Sequence, residues 1–465
     1  MKRRIFILPL IALLISSCEI KAKNSNIVSD STASVPPTSA SNEPSSVGET
    51  SLGTSIINPP SESASENSDN INSSNTEIPK VIRLQYSGTG SNKKFNEQLF
   101  DDFRLARKTT GDPNTYEIEY LEIGPDRIDN EILDWEVGPD VYEFNTDKLP
   151  KLYEKGALSK IVNSNAAFIE ENNNDYGKDL AKLNGNYYAY PYAIDTSYYV
   201  QYDKSFFSAE DVKSIETMLD KAEAAGKKVG YNLQEAYWSG GSMFTFGADY
   251  QMTFDEDGAV TNVTADFNTE KGLKAAKAIQ KIIKHPAWQN AMEAPTPTNN
   301  LVACIAGTWD IAAYKAKLGN NYGVAVMPTV TIAGDTQHLG AFFSGKLFGV
   351  NQQRAGKDID RIVAAHELAK FLSSKEAQLK RFIENDIVPC NIEVSNDVRV
   401  VSEPNAKVLI EQTKFAHAQT AVPGNFWTAS PVLVSSMIEG TITTEQQLVD
   451  AVNTFNDNIK NSSSY

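Results

Sequence analysis

Three short segments place aromatic rings beside hydrogen-bonding groups. Asn232-Leu-Gln-Glu235-Ala-Tyr237-Trp238-Ser239 sets a carboxylate two residues before an aromatic pair, and Gly307-Thr308-Trp309-Asp310 and Gly424-Asn425-Phe426-Trp427 carry similar groupings after a glycine. The flat face of Tyr or Trp stacks on the apolar face of a sugar ring, while carboxylates and amides bind the hydroxyls around its edge. A site of this kind is concave and apolar, with a few placed polar groups. Any one of these rings alone also fits a core position; three such clusters in Gly-bounded, turn-like settings favour a site.

Reaction chemistry is poorly represented. The four histidines, His285, His338, His366 and His417, are scattered, with no HExxH and no companion ligand at metal spacing. His366 sits on an apolar helix and reads as a packed or surface residue. Gly88-Thr89-Gly90 lacks the rest of a dinucleotide fingerprint, and neither a Walker-type Gly-Lys-Ser/Thr nor a Gly-x-Ser-x-Gly elbow follows. Nothing pairs two carboxylates as acid and base for glycoside hydrolysis. The expectation is a binding protein, not an enzyme, with no catalytic residue, no metal and no cofactor.

The elements that would position these segments alternate between strand and helix. Val81 to Tyr86 reads as a strand running into the polar turn Ser87-Gly-Thr-Gly-Ser91. A helix with Phe95, Leu99, Phe103 and Ala106 near helical spacing follows, stopped by Gly111 and Pro113. Further strands are expected over 116–121 and 140–144, and a short helix over 149–154 ends at Gly156. Leu273, Ala276, Ile279, Ile282 and Ile283 form one helical face closed by His285-Pro286. The last helix carries Leu448, Val452, Phe455 and Ile459, with Thr443 and Gln446 at capping-box spacing. This alternation predicts α/β layers with mainly parallel sheets. The stretch from about Lys80 to Tyr465 holds all five Trp and all nineteen Tyr, and is long enough for two domains.

The N-terminal part differs in kind. Lys2, Arg3 and Arg4 precede an apolar run from Ile5 to Ile15, then Ser16-Ser17-Cys18. That is the layout of a secretory signal, too short for the ~20 apolar residues of a spanning helix. A Cys directly after small residues resembles the lipobox of bacterial lipoproteins, which implies cleavage before Cys18 and acylation of that residue. An ordinary signal with an incidental Cys is the alternative. From Glu19 to Ile78 the chain is dominated by Ser, Asn, Thr, Ala and Glu and has no aromatic residue. It cannot bury enough apolar surface to offset its conformational entropy, so it is expected to be a disordered tether, or a spacer of no fixed length, with a reach of roughly 40–45 Å.

The net charge of −16 becomes −19 once cleavage before Cys18 removes Lys2, Arg3 and Arg4 and no acid. Such a surface repels polyphosphates and anionic lipid, which argues against nucleic acid as a partner. Of the three Cys, Cys304 and Cys390 lie in the body. They could pair in an oxidising compartment, but two buried thiols are expected.

The body resembles the family 1 extracellular solute-binding proteins of ABC importers, and within them the maltose/maltodextrin-binding proteins. The resemblance rests on Gly138-Pro-Asp-Val141, Gly156-Ala-Leu158, Leu183-Asn-Gly-Asn-Tyr-Tyr-Ala-Tyr-Pro-Tyr-Ala193, Tyr231-Asn-Leu-Gln-Glu-Ala-Tyr237, Asn321-Tyr-Gly-Val-Ala-Val-Met-Pro328 and Ala421-Val-Pro-Gly-Asn-Phe-Trp427. It implies a periplasmic-binding-protein-like α/β fold: two Rossmann-like lobes joined by three crossovers, with ligand in the cleft between them. The expected organisation is a signal peptide over 1–17 and lipidated Cys18 with its tether over 18–78. Lobe 1 takes 79–194 plus 345–388, and lobe 2 takes 195–344 plus 389–465.

The resemblance further implies stacking by Tyr237, Trp309 and Trp427. Glu235, Asp147 and Asp195 would accept hydrogen bonds from hydroxyls, Lys148 would donate, and Phe144 would be an aromatic contact from lobe 1. Maltose binders usually carry Trp, Asp-Arg, Glu and Pro where this chain has Phe144, Asp147-Lys148, Asp195 and Ala236. The implied role is a monomeric, lipid-anchored receptor on the extracellular face of the membrane. It would capture a carbohydrate and pass it to an ABC permease. The alternatives are a receptor for a peptide or polyamine, or a secreted carbohydrate-active enzyme.

Overall fold

Two parallel three-stranded arrays, one at each end of a ten-stranded mixed sheet, frame the molecule. The computed structural model describes residues 78–296 and 298–465; the signal segment, Cys18 and the tether up to residue 77 lie outside the described residues. The strands are β1 (Val81–Ser87), β2 (Thr115–Leu121), β3 (Val141–Asn145), β4 (Tyr190–Asp203) and β5 (Lys228–Tyr231), then β6 (Trp288–Gln289), β7 (Leu301–Gly307), β8 (Tyr322–Ala325), β9 (Phe342–Val350) and β10 (His417–Ala418). Their order is β6-β5-β7-β4-β9-β3-β1-β2, with β8 also on β4 and β10 also on β9. The β2-β1-β3 and β6-β5-β7 arrays are parallel, as alternating strands and helices predict. The long strands β4 and β9 run antiparallel to each other and to β3, β7 and β8, while the short β10 runs parallel to β9, so the sheet is mixed where it passes between the arrays.

Two hydrophobic cores follow from this layout. The first draws on 82–199, Phe254 and 343–409, and the second on 198–342 and 422–459. Strands β4 and β9 serve both. Tyr198 belongs to the second core and Tyr199 to the first, as do Phe342 and Phe343 respectively, because successive strand side chains point to opposite faces. Past the Ile194–Val388 bridge, the segment carrying Cys390, Val394, Val400, Ala406 and Leu409 still packs with the first core, so the third passage falls between Leu409 and Val422. Cys304 and Cys390 are free buried thiols, and burial raises Cys304 to about 12. No helix among the described residues is long and apolar enough to cross a membrane.

A hairpin of strands Tyr250–Phe254 and Val260–Ala265 reaches from the second core to the first. Asn184 Nδ2 donates to the Phe254 carbonyl at 3.1 Å, and the phenol of Tyr465 donates to Glu154 while its ring meets Phe254 at 5.9 Å. The last helix, Glu445–Lys460, is capped one residue later than its spacing suggests. Thr444 holds extended backbone and accepts from the Gln447 N–H, while Gln447 Oε1 accepts from the Thr444 N–H.

Candidate functional site

The glycine before Trp309 lets its indole fold back. A Cβ on Gly307 would lie 2.2 Å from the Trp309 ring, so a side chain there would displace it. Gln201 Nε2 donates to the Gly307 carbonyl at 2.9 Å, and Thr308 Oγ1 donates to the Asp195 carbonyl at 2.8 Å, which ties the turn to β4. Trp309 stays 53% exposed, the most open of the large aromatics. Tyr237 and Trp238 sit on the helix Ala236–Ser242, whose Gly240 and Gly241 allow Phe426 and Tyr198 to approach its backbone. Trp427 opens the helix Phe426–Ile438.

These elements converge on a continuous aromatic wall. Tyr237 lies 6.2 Å from Trp309 and stacks on Phe342 at 5.7 Å and 14°; Phe342 in turn lies 5.4 Å from Trp427. Trp238 braces the wall, edge-on to both Trp309 and Tyr237. Phe342, on β9, is the ring that joins Tyr237 to Trp427. The Tyr237 hydroxyl is buried with no hydrogen-bond partner among the described residues, and so is Thr420 Oγ1. Burial raises the Tyr237 phenol, and the charges of Asp195 and Asp147 raise it further; both carboxylates therefore act on one hydroxyl.

Asp147, Lys148 and Trp427 line one cavity of about 320 Å³, together with Asp129, Lys151, Gln419, Thr420 and Tyr465. Residues associated with the first core thus face residues of the second. Asp147 and Lys148 form an ion pair at 3.2 Å. Desolvation raises Asp147 while Lys148 pulls it down; on Lys148 burial opposes the charge, but Asp147 outweighs it and the ammonium is raised. Lys151 pairs with the nearly buried Asp129 at 2.7 Å. Asp195 pairs with Lys346 at 2.9 Å.

Two of the sequence-derived residues stand apart. Phe144 is fully buried in the first core against Tyr142, and contributes nothing to the wall. Glu235 is exposed at the start of the Tyr237 helix, where its side chain caps no backbone N–H. Sequence reasoning missed Phe342 and Lys346, which lie on a strand of apolar and small residues with no motif around them.

Of the histidines, His366 bridges Ser159 and Tyr190 at 3.1 and 2.9 Å, and burial pushes it down to about 4. His285 has carboxylate neighbours that its sequence surroundings conceal: Asp220 and Glu223, with ligand atoms within 4.8 Å of one another. The Ala287 N–H donates to His285 Nδ1, so the neutral ring carries its proton on Nε2, toward Asp220. That tautomer suits a hydrogen bond rather than a metal.

Two parallel α/β arrays, two cores joined by three chain passages and a cavity lined from both, which Trp427 of the aromatic wall enters, define a two-lobed α/β protein. The chain belongs to the bacterial extracellular solute-binding proteins, whose family model matches residues 108–408. It is 23% identical over 339 residues to the galactooligosaccharide-binding protein of Bacillus subtilis strain 168, covering 70% of this chain and 77% of that one. Its fold matches the maltodextrin-binding protein of L. casei BL23 with a TM-score of 0.68 at 21% identity, over 82% of this chain and 99% of that one. A cyclo/maltodextrin-binding protein in complex with maltotetraose matches with a TM-score of 0.65 at 22% identity, over 82% and 97%. The periplasmic-binding-protein-like α/β fold implied by the sequence segments is therefore the fold of this chain.

Proposed function

We propose that this protein is a receptor that holds a neutral oligosaccharide, maltodextrin-like in kind, between its two lobes and delivers it to an ABC permease. The exposed Trp309 and the half-buried Tyr237 and Trp427, linked by the fully buried Phe342, carry this reading, because they offer stacking faces and Trp427 shares its cavity with Asp147 and Lys148. The buried Tyr237 hydroxyl supports it, since an unpaired polar group of this kind gains most from a ligand that hydrogen-bonds to it. The names of the relatives, which bind galacto-oligosaccharides and maltodextrins, point to the same ligand class.

Tyr237, Trp309 and Trp427 stack on sugar rings; Asp147, Asp195 and Glu235 accept from hydroxyls, and Lys148 donates. Lobe 1 takes 79–194 plus 345–388 together with 389–409, which packs with the first core, and lobe 2 takes 195–344 plus the remainder up to 465, a later boundary than the sequence implied. Ligand touching both lobes selects the closed arrangement, with no covalent step. The mature chain is monomeric and anchored through acylated Cys18 on the outer face of the membrane.

Melting curves with maltotriose, a galacto-oligosaccharide, a tripeptide and spermidine test the ligand class. An oligosaccharide raises the melting temperature and the other two do not; the reverse pattern overturns the reading. Release of reducing sugar by the purified protein would make it an enzyme instead. Incorporation of labelled palmitate, lost on Cys18→Ser, tests the anchor.

A further inference from the structure

Lys346 is the one lysine on β9, and the backbone around it is built to aim a carboxylate at it. Its cross-strand neighbours are Asn145 on β3 and Ala193 on β4. The β4–β9 register slips between Ser344↔Thr196 and Gly345↔Ile194, which leaves Asp195 as the extra residue of a β-bulge. A bulge re-aims a side chain, and such bulges cluster beside functional sites. Here the result is a 2.9 Å pair between Lys346 Nζ and Asp195 Oδ2. The two side chains are 25% and 26% exposed, so the pair is partly desolvated yet open to a ligand.

The surroundings keep the ammonium charged. Burial opposes the charge on Lys346, but Asp195 outweighs it, with Glu143 and Asp126 adding to the effect, and the group is raised. Asp126 acts on Lys148 as well, and Asp195 and Asp147 both act on the Tyr237 phenol. The Asp195 carbonyl also accepts from Thr308 Oγ1 at 2.8 Å, one residue before the exposed Trp309, which sets the 195–346 pair beside that end of the aromatic wall. The carboxylates around Lys346 disfavour an anionic sugar at this position.

We propose that Lys346 is a specificity-determining residue of this cleft, reading a vicinal diol together with Asp195. This rests on the oligosaccharide-receptor reading above. The Asp195 carboxylate accepts from one hydroxyl, and the Lys346 ammonium donates to the oxygen of its neighbour. Charge-assisted bonds of this type are short and strong, and a ring lacking either hydroxyl forfeits one of them while still covering the pair from water. The site therefore selects a neutral sugar with adjacent free hydroxyls, and rejects deoxy and uronic rings there.

The test is a thermodynamic cycle by calorimetry, crossing the mature wild-type chain and its Lys346→Met variant with maltotriose and its monodeoxy analogues. Lys346→Met keeps the aliphatic stem; Lys346→Gln serves if it fails to fold. We expect a 10- to 100-fold loss of maltotriose affinity in a variant that still unfolds cooperatively, with a fall in melting temperature from leaving Asp195 unpaired, and with Lys346→Arg retaining most of both. For one analogue the cost of the missing hydroxyl should vanish in the variant, a coupling that a merely structural role would not produce. Equal affinity of Lys346→Met and wild type, or additive costs for every analogue, overturns the inference and leaves the receptor reading intact. Failure of the wild type to bind any oligosaccharide removes both.

Discussion

Single side chains separate a ligand site from a core most sharply. A Tyr237→Phe variant deletes a buried hydroxyl that has no hydrogen-bond partner among the described residues. Its stability should be unchanged or slightly higher, while affinity for oligosaccharide drops roughly fivefold, about 1 kcal/mol, for the lost hydrogen bond. A core tyrosine would show the opposite: lower stability and no change in binding. Replacing Trp427 by Ala should weaken binding roughly thirtyfold, about 2 kcal/mol, by calorimetry, since the ring lines the cavity at the end of the wall. Tyr237, Trp309 and Trp427 are legible in the sequence because each sits in a local pattern of glycine, carboxylate and ring. Phe342 and Lys346 are not, because their roles arise from strand register and a bulge that bring distant segments together. Phe144 shows the converse. Its position in a matching segment suggests a ligand contact, yet the β3 pleat turns it into the first core.

The helices and strands follow local chemistry closely, and deviate where backbone conformation decides. The final helix illustrates both. Its apolar face was legible from Leu448, Val452, Phe455 and Ile459, but two adjacent threonines left the cap ambiguous by one residue. Thr444→Ala should cost about 1 kcal/mol in denaturant unfolding and Thr443→Ala much less, because Thr444 alone accepts from the N3 amide.

The helix Ile359–Leu372 carries a second test. Burial keeps His366 neutral down to about 4, with Glu367 favouring its charge and Lys370 opposing it, whereas the unfolded chain takes up that proton near 6.5. Below about 6.5 the unfolded state binds more protons, so stability falls with falling pH, by about 2 kcal/mol between pH 6.5 and 5. Urea titrations across that range should show this slope in the wild type and lose most of it in His366→Gln.

Across the whole molecule, the two cores communicate through β4, β9, the segment between Leu409 and Val422 and the hairpin that meets Tyr465 and Asn184. Deleting Tyr465 should raise amide exchange over 250–265 and 149–154 while leaving both cores protected, because its contacts lie at the cavity rim and where the hairpin tip meets the first core. The alternating elements made the α/β class legible. The antiparallel passage of β4 and β9 was not, since strand direction in a mixed sheet depends on which distant strand each segment joins.

The central claim is that the aromatic wall receives a neutral oligosaccharide. Three of the five tryptophans, Trp238, Trp309 and Trp427, stand in or against that wall, so intrinsic tryptophan emission reports on it directly. Titration with maltose, maltotriose, a galacto-oligosaccharide and spermidine should give a saturable shift with at least one oligosaccharide, abolished in a Trp309→Ala, Trp427→Ala double variant, and none with spermidine. A shift with spermidine and with no oligosaccharide would contradict the account.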